Sequence, residues 1–130
     1  MTYLLDTHAV IWLAGYGPRP SSEVAAAVAS TDNELVVSAV SAFEIATKVR
    51  LGKLEEARSL KDSWRTTLNT LGAHTRELTD RTALLAGDLD WPHKDPFDRL
   101  LAAQAITEGL TFVTADRAFD SAPGLSLLRW

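Results

Sequence analysis

Tyr3-Leu4-Leu5-Asp6-Thr7-His8 sets a carboxylate directly behind a short apolar run, near the start of a 130-residue chain. A run of this kind reads as a buried first strand of an α/β protein. Its last residue then emerges at the carboxyl edge of the sheet, where open α/β sheets bind their ligands. Three later segments also end or begin on an acid: Glu44, Asp98 and Asp116. The expectation is that these four carboxylates meet around Asp6 and hold a divalent metal.

The elements around that strand alternate in type. Residues 9–14 predict a short helix, halted by Gly15, Gly17, Pro18 and Pro20. Ser21 and Ser22 cap a second helix through Ala29, and Asp32-Asn33 turns the chain into a second strand over 35–38. Ser41 is read as the start of a helix that carries Glu44, Ile45 and Val49 and closes near Gly52. Ala57, Leu60, Trp64, Leu68 and Leu71 keep a three-to-four spacing, which predicts one helix over about 55–71. A weak third strand over 73–75 and a helix from Thr79 or Asp80 to about Gly87 come next. A loop with Trp91-Pro92 leads to Asp95-Pro96, a cap and first-position pair that opens a deeply buried helix to about Glu108. Residues 110–114 form the fourth strand, Asp116 begins a short turn, and 125–128 form a fifth strand. Strands alternating with helices imply an α/β fold with a mostly parallel sheet covered on both faces.

Bulk properties narrow the chemistry. The length fits a single domain, 1–130, with a core that needs no staples. There is no cysteine, which excludes disulfides and thiolate metal sites. His8, His74 and His93 lie far apart and lack zinc-ligand spacing. The net charge of -4 argues against a simple nucleic-acid coat protein but not against an enzyme with its acids gathered at a metal. No run approaches the roughly 18 apolar residues of a membrane span, and no signal peptide is expected, so the protein is placed in the cytoplasm.

Each acid also has a structural reading. Ser41 and Glu44 have capping-box spacing. Asp98 lies in the first turn of its helix, and Asp6 and Asp116 can each cap the helical turn behind them. The set weighs more than its members. Asp6, Glu44 and Asp116 come after strands one, two and four, so parallel strands deliver all three to the same edge. The place of Asp98, on a helix leading into strand four, is left open. Neighbouring carboxylates without a counter-ion repel one another. Hard oxygen ligands without cysteine or clustered histidine point to Mg2+ or Mn2+.

Such a site activates water and stabilises charge on a phosphoryl oxygen, and two metals roughly 3.5–4 Å apart would clamp both oxygens of a phosphodiester. No G-x-S-x-G elbow, P-loop or cysteine offers another nucleophile. Asp95, Thr7 and Thr114 are second-rank candidates near the site. Arg99 and Arg117 each follow an acid and either touch substrate phosphate or balance local charge. His8 and His93 are read as surface or packing residues. Residues 45–65 carry six basic and three acidic side chains, including Lys48 and Arg50. A basic strip beside an acidic site suits a polyanion such as RNA, and for any one residue a solvated helix face.

Four segments in order carry a resemblance to PIN-domain proteins, specifically the VapC-type toxin ribonucleases of VapBC toxin–antitoxin pairs. They are Leu4-Leu5-Asp6-Thr7-His8-Ala9, residues 38–48 around Glu44, residues 93–104 around Asp98, and Val113-Thr114-Ala115-Asp116. The resemblance implies a three-layer α/β/α fold with a five-stranded parallel sheet of order 3-2-1-4-5. It implies Mg2+- or Mn2+-dependent cleavage of RNA, with Asp6, Glu44, Asp98 and Asp116 as metal-holding catalytic residues and Thr114 beside them. It also implies a homodimer and a small cognate antitoxin that covers the acidic pocket. The rival expectation is a non-catalytic RNA-binding or protein-interaction module on the same fold, its acids serving as helix caps. A metal phosphatase of haloacid-dehalogenase type fits less well, because His8 stands where that pattern has a second Asp.

Overall fold

The structure is a computed structural model that describes residues 1–130. Five strands, β1 (Thr2–Leu5), β2 (Glu34–Ser38), β3 (Ala73–Arg76), β4 (Thr111–Thr114) and β5 (Ser126–Arg129), form one sheet of order β3-β2-β1-β4-β5. Every pairing is parallel, with Leu5 beside Val37 on one side and Val113 on the other. The helices are α1 (Thr7–Leu13), α2 (Ser22–Ala29), α3 (Ala39–Arg50), α4 (Arg58–Asp62), α5 (Trp64–Leu71), α6 (Asp80–Asp88) and α7 (Pro96–Glu108). The expected α/β architecture and strand order are both found. None of these helices is long and apolar enough to cross a membrane.

The two-residue strand period divides the core. Leu4, Val36 and Phe112 point to one face, where Leu101, Ala102 and Ala105 of α7 cover them together with Trp91. Leu5, Val37 and Val113 point to the other, against Val10, Val24, Ile45, Leu60 and Leu68 from the helices of that side. Because both faces are buried at the centre of the sheet, β1, β2 and β4 carry adjacent apolar residues rather than alternating ones, whereas the edge strand β3 is mostly polar. Full burial of such side chains stabilises the fold by about 1.5–3 kcal/mol each.

Two expectations about helices are corrected. The predicted helix over 55–71 is broken into a 3-10 turn at Glu55–Ala57, then α4, then α5. Ser63 interrupts it: its φ/ψ of -117°/33° leaves the helical region and its hydroxyl donates to the Ser59 carbonyl. The apolar stripe survives the break, which is why periodicity alone shows one helix. The helix bearing Glu44 starts at Ala39, not Ser41, with the Ser38 hydroxyl accepting from the Val40 amide. Glu44 lies past the first turn, so it is released from the capping-box role and faces the carboxyl edge of the sheet.

A carboxylate cavity at the switch point

The strand order reverses between β1 and β4, and a cavity of about 350 Å³ opens at their carboxyl ends. Asp6, Glu44, Asp98 and Asp116 all line it, with Asp95 as a fifth carboxylate. Asp98 arrives because α7 runs back against the direction of the strand it leads into, so its N-terminus sits at the same edge where β1 and β4 end. Lys48 is the one ammonium in the lining, and Thr7, His8, Trp12 and Ala115 complete it.

Two buried threonines tie the acids together. Asp6 caps α1, its Oδ1 accepting from the Thr7 amide at 2.7 Å. Its Oδ2 accepts from the Thr114 hydroxyl at 2.7 Å, and that hydroxyl accepts in turn from the Asp116 amide at 3.0 Å. The Thr7 hydroxyl donates to Glu44 Oε1 at 2.7 Å and lies 2.8 Å from the Ser41 hydroxyl. Carboxylates only accept, so the Thr7 proton goes to Glu44 and Ser41 donates to Thr7. Thr7 and Thr114, expected as second-rank residues, bond the Asp6 and Glu44 carboxylates and the backbone of Asp116. Lys48 closes the set with a 2.5 Å ion pair to Glu44 Oε2, one turn away on α3.

The acids keep their helix-start roles as well. Asp116 caps the turn Arg117–Ser121 through the Ala118 amide, and Asp95 caps α7 through the amides of Phe97 and Asp98. Asp98 has a further partner: His93 Nε2 stands 2.6 Å from its Oδ2. The imidazole is stacked at 4.7 Å on Trp91, which holds its plane. His93, read from sequence as surface or packing, thus touches a candidate metal ligand, and exposed His8 lines the cavity.

The substrate-contact expectations fare differently. Arg99 is corrected: its guanidinium is taken up by the carbonyls of Ala86, Gly87, Leu89, Trp91 and His93, so it neither faces substrate nor balances Asp98. Arg50 and Arg117 are exposed and stand outside the cavity lining. In the basic strip, Arg58 pairs with Glu55 and Lys61 with Asp62, while Arg50, Lys53 and Arg65 remain exposed.

Electrostatics show what the cavity lacks. Burial raises the Asp6 carboxyl above its ordinary value, against the Thr114 and Thr7 hydrogen bonds, and Glu44 adds to the rise. Burial also pushes Asp98 up to about 6, aided by repulsion from Asp95 and Asp6 and opposed by His93. Lys48 loses by burial, but Glu44, Asp95 and Asp98 hold its ammonium above the ordinary value. Five carboxylates against one ammonium leave a deficit of positive charge. No three of the acids close on a single point. The donor set of hard oxygens nonetheless suits a divalent cation of the Mg2+ or Mn2+ class, with some ligand places left to water.

The Asp98 shift has a measurable consequence for the metal-free protein. Its folded value lies above 3.8, so the folded state binds this proton more tightly than the unfolded state. The cost of the charged form is complete above pH ~6 and is relieved as pH falls from there towards ~3.8. Without metal, stability is expected to rise between about pH 7 and about pH 5.5. Asp98→Asn is expected to add about 1–2 kcal/mol at neutral pH and flatten that rise, once partial exposure and the altered His93 bond are allowed for. Melting curves with EDTA test this. A midpoint that falls over that interval, or an Asn variant less stable than the parent, would contradict it.

Comparison with known proteins agrees with this geometry. A family profile for the PIN domain matches residues 3–125. Ribonuclease VapC22 of Mycobacterium tuberculosis is 33% identical over 123 residues, which covers 92% of this chain and 91% of that protein. The crystal structure of VapBC2 from Rickettsia felis, bound to a DNA fragment from its promoter, contains a chain that superposes with a TM-score of 0.74 at 20% identity. That superposition covers 100% of this chain and 99% of the other. VapBC-5 of Mycobacterium tuberculosis, from the VapBC family of toxin–antitoxin systems, gives 0.64 at 17% identity over 99% and 98%. A profile that runs from Tyr3 to Leu125 leaves little of the sequence outside it, and the chain belongs to the PIN-domain family as a relative of the VapC proteins.

Proposed function

We propose that this chain is a divalent-metal-dependent endoribonuclease, the toxin of a toxin–antitoxin pair, with Mg2+ or Mn2+ held by Asp6, Glu44, Asp98 and Asp116. The observation that carries the reading is the convergence of these carboxylates, from four separate parts of the chain, on one cavity at the sheet's switch point. Kinship to a protein named as a ribonuclease supplies the substrate class. A bound divalent cation supplies a lowered water pKa and neutralises charge at a phosphoryl oxygen.

The chain's own residues do the rest. Thr7 and Thr114 hold Glu44, Asp6 and Asp116 in register, which keeps the ligands ordered before any cation enters. His93 orients Asp98. Lys48 balances part of the charge beside Glu44 and is the cavity's own contact for a substrate phosphate. Exposed Arg50, Lys53 and Arg65 are further candidate contacts for the phosphates of an RNA strand.

A small antitoxin is the expected partner, since structural relatives include toxin–antitoxin complexes. Exposed Phe43, in tilted contact with Phe97 beside Val40, Leu78 and Leu100, provides an apolar surface suited to protein association, including a homodimer.

The rival reading, a non-catalytic module, draws on the capping roles that Asp6, Asp95 and Asp116 do fill. One experiment separates the two. Antitoxin-free protein is incubated with a pool of labelled RNAs, tRNAs included, in Mg2+, Mn2+ or EDTA, and melted in the same buffers. The nuclease reading expects metal-dependent cutting and a midpoint that rises with metal occupancy. No cutting with no metal-induced shift would leave the binding module.

A further inference from the structure

Not every wall of the acid cavity is charged. Trp12 and exposed His8 form one side of it, their ring centres 5.8 Å apart and tilted by 50°. They lie one helical turn apart on α1, directly after Asp6, so the helix that begins at the metal-binding edge carries them both. Trp12 is held from behind. Its centroid lies 5.2 Å from that of Trp130, and Gly17 packs so closely over the indole that a Cβ there would fall 1.8 Å from Trp12 Cδ1. Only glycine fits at residue 17, and the indole is fixed before anything binds. Trp12 packs against the core cluster yet remains partly exposed and lines the cavity, so core packing uses only part of the indole.

We infer that the His8–Trp12 wall is a nucleobase subsite, which stacks an unpaired base of the RNA strand next to the phosphodiester held at the carboxylates. The inference rests on the ribonuclease reading and adds to it how the strand is seated. Charge decides what the wall can take. Five carboxylates repel every phosphate except one neutralised by a cation, whereas a base presents an uncharged π-face. Aromatic side chains bind such faces with little regard for sequence, and only bases free of a duplex can be splayed onto them. The subsite therefore selects single-stranded or looped RNA over duplex, and it fixes the distance between a stacked base and the scissile bond.

The test starts from an RNA that the wild-type protein cuts, with its cut site mapped. Binding of that RNA is measured by fluorescence anisotropy with Asp116→Asn protein, in which cleavage is silenced. A second RNA set carries a single abasic nucleotide at each position flanking the cut. One abasic position is expected to weaken binding about 10- to 100-fold. Trp12→Ala is expected to weaken binding of the intact RNA by a similar factor and to abolish sensitivity to that abasic position. His8→Ala, at an exposed ring, gives a smaller loss in the same direction. A Trp12 with only a packing role would instead give losses that multiply, and that result would overturn the subsite. Photo-crosslinking of 4-thiouridine RNA to protein with Trp12 intact gives an answer even if Trp12→Ala does not fold. Adducts are expected at Trp12 or His8, and adducts only elsewhere would overturn the subsite. Absence of any metal-dependent cutting by the wild type removes the nuclease reading and the subsite together. Cutting with multiplicative losses removes the subsite alone.

Discussion

Asp6→Asn leaves the protein folded and lowers metal-dependent RNA cleavage by about 10³-fold or more. The two halves of this expectation come from the same hydrogen bonds. Asn is as good an N-cap as Asp, so Oδ1 keeps the Thr7 amide and α1 keeps its first turn. The amide loses the bond that Oδ2 accepts from Thr114, but it also replaces a carboxyl whose charge is disfavoured by burial, so the metal-free protein stays folded with little change in melting midpoint. The substitution removes one negative charge from the cavity, directly after the strand that pairs with both β2 and β4. Stabilisation of charge by a bound cation is worth several kcal/mol, and each 1.36 kcal/mol is tenfold in rate. Initial rates on one RNA across a manganese series, with melting curves at the same concentrations, test both halves. The variant should lose most of the metal-induced rise in midpoint along with its rate. A folded Asp6→Asn protein with full activity would remove Asp6 from the reaction.

The fold was legible because its signals are local and repeated. Apolar strands buried on both faces leave continuous runs such as residues 35–37 and 112–113, and the Asp95-Pro96 pair marks the start of α7. Asp6, Glu44 and Asp116 were legible because parallel strands share a direction, so acids placed after them arrive at one edge. Other features of the site depend on contacts that no spacing encodes. Lys48 was legible as a member of the basic strip, but its ion pair with Glu44 inside the cavity was not. His93 reaches Asp98 only because the 89–94 loop folds Trp91 into the core, at 4% exposure, and the imidazole stacks on it. Trp12 reads as one apolar residue of a short helix. Its cavity-facing role depends on Gly17 and Trp130, residues that periodicity does not connect to it. Ser63 broke a helix whose apolar stripe continues undisturbed, so the pattern could not reveal the break.

Arg99→Met is expected to lower stability by roughly 3–5 kcal/mol, a drop in melting midpoint of about 10–15 °C for a chain of this size. The residue stands directly after an acid and from sequence alone could equally serve a phosphate, but its five carbonyl partners assign it to the backbone. Nε donates to Ala86 at 2.9 Å, Nη1 to Trp91 at 2.6 Å and His93 at 3.0 Å, and Nη2 to Leu89 at 2.7 Å. These carbonyls belong to the last turn of α6 and the loop behind it, where a helix end leaves acceptors without partners. One planar fork satisfies acceptors that would otherwise need several side chains or waters. Methionine keeps the packing of the stem and removes every donor, so the loss reads the hydrogen bonds rather than a cavity. Arg99→Lys keeps the charge but not the fork, and it should recover less than half of the loss. The loop carries His93, so activity of the Met variant should also fall, in proportion to the loosening of Asp98. Urea unfolding of the three proteins in EDTA, with RNA binding measured in parallel, separates a backbone clamp from a substrate contact. A substrate contact would give weaker RNA binding with an unchanged midpoint. The clamp gives a lowered midpoint in Met, an intermediate one in Lys, and RNA binding that recovers wherever the fold does.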